Sequence, residues 1–164
     1  MKRIIPFILL IISQFCLALE KFATFDLQKT VSSIPIGQKA QQDLNNFVEQ
    51  IKKQIAEKEN LIKKEVSVFE SKKGMLNEDS LKKKQDELSK TIQEHNEFIA
   101  KSQQEISSKQ KVLFDPILES INKNIAIIAK DENYLMIFDK NDPRLFWSKS
   151  EIEITDLVIK KLKI

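Results

Sequence analysis

Glycine occurs twice in the 164 residues, at Gly37 and Gly74, while cysteine and histidine occur once each, at Cys16 and His95. Two isolated glycines cannot build a phosphate-cradling loop, so P-loop and dinucleotide-binding folds are excluded. One histidine and one cysteine supply no ligand set for a zinc site, and no disulfide can close within the chain. Basic residues number 27 against 24 acidic ones. That balance leaves room for local patches but not for a strongly basic nucleic-acid binder. No catalytic constellation stands out, so neither an enzyme nor a cofactor is expected.

The first 18 residues have the layout of a secretory signal peptide. Met1, Lys2 and Arg3 give a short positive start, an apolar run broken by Pro6 follows, and small residues at Cys16 and Ala18 precede a cut after Ala18. An uncleaved anchor would want a span of about 20 apolar residues, and a lipid-modified Cys16 would want a smaller neighbour than Phe15. Cleavage would remove Lys2 and Arg3, lowering the basic count from 27 to 25 against the same 24 acids. An exported chain without disulfides must then hold together by packing or by assembly.

Beyond the leader the chain divides into three. Residues 21–26 (KFATFD) are short, aromatic and bounded by charge, as a strand is. Residues 38–130 are rich in Lys, Glu, Gln, Ser and Asn, with sparse apolar residues at steps of three and four. Ala40, Leu44, Phe47, Ile51, Ile55, Ile62, Val66 and Phe69 mark the stripe before Gly74. Leu81, Leu88, Ile92, His95, Ile99, Ile106, Leu113, Ile117, Ile121, Ile125 and Ile128 mark it afterwards. Such a narrow stripe suits two helices meeting along one seam, made leaky by Lys58, Gln85, Ser102 and Gln110. His95 fits as a packing compromise within it. Residues 134–139 and 144–148 are predicted as strands joined by a turn at 139–143, and residues 154–164 as a short amphipathic helix.

The break in the helical stretch is well punctuated. Lys72 and Lys73 suit the end of the first helix. Gly74 is expected in a left-handed cap, with Met75 reaching back to Phe69. Asn77 is expected to cap the second helix, followed by Glu78 and Asp79, with Leu76 and Leu81 as a staple. Residues 73–77 are thus a tight tip, and the two helices run antiparallel. Pro116 is predicted to kink the second helix, Asn133 to end it in a left-handed conformation, and Thr155 to cap the last helix. The tip is basic. Residues 63–84 hold seven lysines, including Lys72, Lys73, Lys82, Lys83 and Lys84, against four acids.

Residues 134–138 are apolar on both faces. With Phe22, Phe25, Leu135, Ile137, Phe138, Leu145 and Trp147 they offer more apolar surface than one small sheet hides. Either subunits associate through these strands, or the end of the second helix and the last helix cover them.

The order of strand, long helical hairpin, strands and short helix resembles the Skp/OmpH family. Residues 22–29 (FATFDLQK) are similar to its opening strand with an acidic residue and Gln-Lys. Residues 33–40 (SIPIGQKA) are similar to its Ser-Pro-x-Gly-x-x-Ala entry, with one extra residue before Pro35. Residues 73–88 resemble its hairpin tip, 113–117 its Leu-x-x-Pro-Ile kink, and 134–139 and 152–162 (IEITDLVIKKL) its closing strand and helix. Asn133 stands where the family often has Gly, and 144–149 departs from its Val-Leu-Tyr-Ala-Asp.

The resemblance implies a mostly α, α+β fold in which a long antiparallel coiled-coil arm (37–115) projects from a small β body (19–36 and 116–164). It implies a homotrimer joined through the β strands. It further implies an ATP-independent periplasmic holder of unfolded outer-membrane proteins, with transient contact to membrane or lipopolysaccharide and no nucleic-acid partner. A structural tether of the cell envelope is the competing expectation; it would want one uninterrupted rod rather than a folded-back tip.

Overall fold

A computed structural model describes residues 21–162; the leader predicted at 1–18 lies outside the described residues. The chain runs β1 (Lys21–Phe25), α1 (Leu27–Ser33), α2 (Pro35–Lys72), a 3-10 turn at Lys73–Met75, α3 (Glu78–Asp131), β2 (Tyr134–Asp139), a 3-10 turn at Ser150–Ile152, and α4 (Thr155–Leu162). β1 and β2 pair in parallel, with a register shift between Lys21 and Phe22. Parallel neighbours need a long crossover, and here the whole α2–α3 hairpin is that crossover.

Local chemistry sets the element boundaries. Asp26 ends β1 and caps α1, its carboxylate accepting from the Lys29 N–H at 2.7 Å. Ile34, in extended conformation, is the single residue between α1 and α2, and Pro35 opens α2 where its missing N–H matters least. α1 is an element the sequence pattern did not announce. At about 1.5 Å per residue the 38 residues of α2 extend about 57 Å. α3, with 54 residues, is longer and runs without interruption through Pro116. Asn133 takes a positive φ of 57° between α3 and β2, as its short polar side chain allows.

The core lies where the base of the hairpin meets the sheet and α4. Ala23 and Phe25 from β1, Ile34, and Ala40 from α2 join Ile117, Ile121 and Ile128 from α3 and Ile154 and Val158 near the chain end. Ile137 and Tyr134 of β2 pack against this cluster from partly buried positions.

Residues 144–148 are not a strand. The Asp139 carbonyl accepts from the Asp142 N–H and the Asp142 carbonyl accepts from the Leu145 N–H, giving two successive turns around Pro143. Arg144 closes them with a two-pronged bond to the Asp142 carboxylate, at 2.9 and 2.6 Å. That guanidinium pulls the Asp142 carboxyl down to about 2. The residues that follow find no ladder partner among the described residues. Instead, Glu153 bridges the free side of β1 at Thr24.

Candidate functional site

The arm is built as one polar-rich seam. Every α2 residue of the predicted stripe, from Ala40 to Phe69, is buried or half-buried. On α3 the stripe takes a slightly different course. Lys84, Leu88, Thr91, His95, Phe98, Ser102, Ile106, Lys109 and Leu113 face inward. Ile92 and Ile99, expected in the seam, lie 41% and 37% exposed. Between Leu88 and Ser102 a 3.5-residue repeat falls between adjacent residues, and the earlier one of each pair turns inward.

The middle of the seam is a polar notch. Lys58 stands over the Phe98 ring at 4.9 Å, so this gap in the stripe is filled by a cation on an aromatic face. The His95 side chain is only 10% exposed, with Nε2 at 3.8 Å from the Glu59 carboxylate. His95 Nδ1 and the Ser102 hydroxyl are buried with no hydrogen-bond partner among the described residues. Ser102 is 2% exposed. An unsatisfied buried hydroxyl opposes folding by about 1–3 kcal/mol. Ser102→Ala is therefore expected to stabilise the arm by about 1 kcal/mol, measured as a higher urea midpoint by far-ultraviolet circular dichroism.

At the tip, Asn77 caps α3, its side-chain carbonyl accepting from the Ser80 N–H at 2.9 Å. Gly74 behaves differently from expectation. It lies in the 3-10 turn without a positive φ, because the chain leaves α2 by tightening its helix rather than reversing its hand. Met75 does not reach Phe69's side of the hairpin; it is 86% exposed. Lys73 pairs with Glu70, and Lys84 with Glu87 at 3.0 Å, a bond that raises Lys84 and lowers Glu87 from their ordinary values. Lys72, Lys82 and Lys83 have no carboxylate partner among the described residues.

The predicted body residues split into two groups. Phe25 is core and Ile137 packs on it. Phe22, Phe138, Leu145 and Trp147 instead line one groove of about 610 Å³, together with Tyr134 and Ile152. Phe22, Leu135, Met136 and Phe138 stay between 42% and 55% exposed, Trp147 reaches 74%, and neighbouring Phe146 is almost wholly exposed. An exposed apolar surface of this kind marks an interaction site.

One polar junction was not visible in the sequence. The Lys140 ammonium lies 3.3 Å from the Asp26 carboxylate and 3.1 Å from Glu153. Glu153 also accepts from the Thr155 hydroxyl at 2.8 Å, and that hydroxyl accepts from the Asp26 N–H at 2.9 Å. Thr155 thus ties β1 to the chain end instead of capping α4. The Lys29 N–H, and then Lys140, hold Asp26 below the usual carboxylate range. Thr155, and then Lys140, do the same for Glu153, while Glu153 raises Lys140.

Depressed carboxyls contribute stability that is present above their unfolded values, about 4, and lost as pH falls through their lower folded values. A raised lysine contributes stability that is present below about 10.4 and lost above it. Stability to urea is accordingly expected to be flat between roughly pH 5 and 10 and to drop below it. In Lys140→Met that acid-side drop becomes shallower.

Among the described residues no three metal-ligating side chains come together, and no helix is long and apolar enough to cross a membrane.

No curated protein matches the sequence. The crystal structure of an OmpH-like protein from Caulobacter crescentus CB15, named as a candidate outer membrane chaperone, superposes with a TM-score of 0.69 at 16% identity. The match covers 89% of this chain and 85% of that one, and it extends the hairpin-on-body fold to both proteins. The family described as outer membrane protein (OmpH-like) matches residues 21–162, the whole of the described chain. This chain belongs to the OmpH-like family.

Proposed function

We propose that the chain is a periplasmic chaperone that holds unfolded outer-membrane proteins between the arms of a homotrimer and keeps them from aggregating, without ATP. Family membership supports the chaperone class. The observation that carries the holding role is where the apolar surface lies. The arm shows exposed apolar residues scattered along its length (Leu61, Val68, Met75, Leu76, Ile92, Ile99 and Val112), set among many exposed polar residues. Single, spaced apolar side chains give many weak contacts to an unfolded chain without a patch large enough to glue arms together. Such contacts shield the client's strand edges from other chains, and three arms acting together multiply weak affinities.

The uncovered groove at Phe22, Phe138, Leu145 and Trp147 supports the body as the subunit interface. One side of β1 is bridged by Glu153 and the other is taken by β2. The outer edge of β2 is therefore the place where a sister chain adds, with Leu135 beside it. Release is passive, as the client folds into the membrane. An amino-terminal leader delivers the chain to the periplasm.

The test is to dilute an outer-membrane β-barrel protein from urea into the mature chain and follow turbidity. Suppression of aggregation at modest molar excess supports the holding role; undiminished turbidity rejects it in favour of a structural tether.

The tip lysines serve capture. Lys72, Lys82 and Lys83, set at the end of a long arm, steer acidic segments of a client or lipid phosphates by a field that salt screens. Changing all three to Gln is expected to slow client capture several-fold at about 0.01 M salt and little at about 0.15 M, read by stopped-flow fluorescence. Equal rates at low salt remove the tip from the mechanism.

A further inference from the structure

A second groove, about 1140 Å³ in volume, lies at the base of the arm, bordered by α1, the first turns of α2 and the facing stretch of α3. Its rim is made of carboxamides: Gln41, Gln42, Asn45 and Asn46 on α2, Gln28 on α1 and Gln110 on α3. Asp26 and Lys29 are the only charged residues lining it, and both are engaged elsewhere. Asp26 accepts from the Lys29 N–H and meets Lys140, while the Lys29 ammonium meets Asp156 at 3.2 Å. The floor is aliphatic and aromatic. Leu27, Val31, Phe114 and Leu118 line it from half-buried positions, and the first three are anchored against the body core.

We propose that this groove takes one extended strand of an unfolded polypeptide, carboxamides bonding its backbone while alternate apolar side chains rest on the floor. The inference rests on the holding role proposed above and gives it a defined site. Gln41 Nε2 donates to Asn45 Oδ1 at 2.9 Å, so those two are partly engaged with each other. Each of the remaining carboxamides offers two donors and one acceptor, matching the N–H and C=O that every residue of an unpaired backbone leaves open. Such a rim binds backbone without reading sequence.

Phosphate-bearing ligands want free cations, and the rim has none to give. The floor adds selectivity of a coarse kind. In a strand, successive side chains point to opposite sides, and strands of membrane barrels alternate apolar with polar residues. One face of such a strand therefore suits Leu27, Val31, Phe114 and Leu118, and the other faces water. At about 1140 Å³ the groove exceeds the roughly 300–1,000 Å³ of small-molecule sites. A neutral oligosaccharide shares the hydrogen-bonding groups but has no alternating apolar face for the floor.

Two measurements on the full mature chain test the site, with a urea-unfolded outer-membrane β-barrel protein as probe. In Gln42→Ala/Asn46→Ala/Gln110→Ala, all exposed positions, client affinity is expected to fall about tenfold with solution mass and helicity unchanged. A photoreactive residue placed at Asn46 in otherwise unaltered protein is expected to cross-link to the client. That second result decides the matter should the triple variant lose its native mass. Unchanged affinity, or no cross-link at Asn46, overturns the site while the wild-type chain continues to hold clients. Displacement of the client by maltohexaose overturns the polypeptide assignment. Wild-type protein that holds no client overturns the parent reading and this site together.

Discussion

Ile121→Ala is expected to destabilise the body by about 3–4 kcal/mol, within the 2–5 kcal/mol span for truncating a buried isoleucine. Ile121 is 0% exposed and heads the fully buried side chains by size. It sits on α3 among Ala23 and Phe25 of β1 and Val158 of α4, so its removal opens a void where three elements meet. Those neighbours belong to β1 and to a helix of eight residues, and have little freedom to collapse without losing their other contacts. The loss is large against a total stability of about 5–15 kcal/mol for a small domain. The arm is spared, because its seam residues lie on other turns of the hairpin. Urea denaturation at fixed chain concentration, followed by circular dichroism, is the measurement. An early transition of the body ahead of most helical signal is the expected result. A shift below about 1 kcal/mol contradicts the placement of the core.

Gly37→Ala and Gly74→Ala are expected to move stability in opposite directions. A Cβ on Gly37 would lie 1.9 Å from the Val31 carbonyl oxygen and 2.8 Å from its carbon. These are backbone atoms, unable to rotate aside, and only Ile34 links α1 to α2. The two helices must part, at about 2–3 kcal/mol. That outweighs the gain of up to about 1 kcal/mol from replacing a helical glycine. At Gly74 nothing lies within 4 Å and φ is not positive. Alanine there restricts the unfolded chain and gains about 0.4–1 kcal/mol. Thermal denaturation of both variants gives the comparison. A Gly37→Ala chain as stable as its parent would mean that α1 does not pack as described.

The contrast between the two glycines shows what a sequence can and cannot disclose. The stripe of Ala40 to Phe69 was legible because burial on one side of a long helix forces a short period into the sequence. Asn77 and Asn133 were legible because capping and left-handed conformations demand particular side chains, and both occupy the places expected. Gly74 carried the same kind of signal, but a solvent-exposed turn tolerates several backbone paths, and the 3-10 one prevailed.

Contacts between distant residues leave no local imprint. The close approach at Gly37 depends on Val31 across a helix corner. The bonds of Thr155 depend on Asp26, which is 129 positions away. The parallel pairing of β1 with β2 likewise spans the whole arm. Residues 144–148 misled in the opposite way. Their apolar content has the pattern of a strand, yet Asp142, Pro143 and Arg144 commit the chain to turns. Trp147 is left at the surface, lining the groove proposed as the subunit interface. Ser102 shows a third case: its polar character suggests a leak in the seam, yet the residue is only 2% exposed.

The arms can enclose a guest only if several chains join through the uncovered face of the body. Light scattering coupled to size-exclusion chromatography, on the mature chain with and without a urea-diluted β-barrel client, measures this directly. Three chains alone, and three chains with one client after mixing, is the expected mass. A particle of one chain that gains no client mass would contradict it.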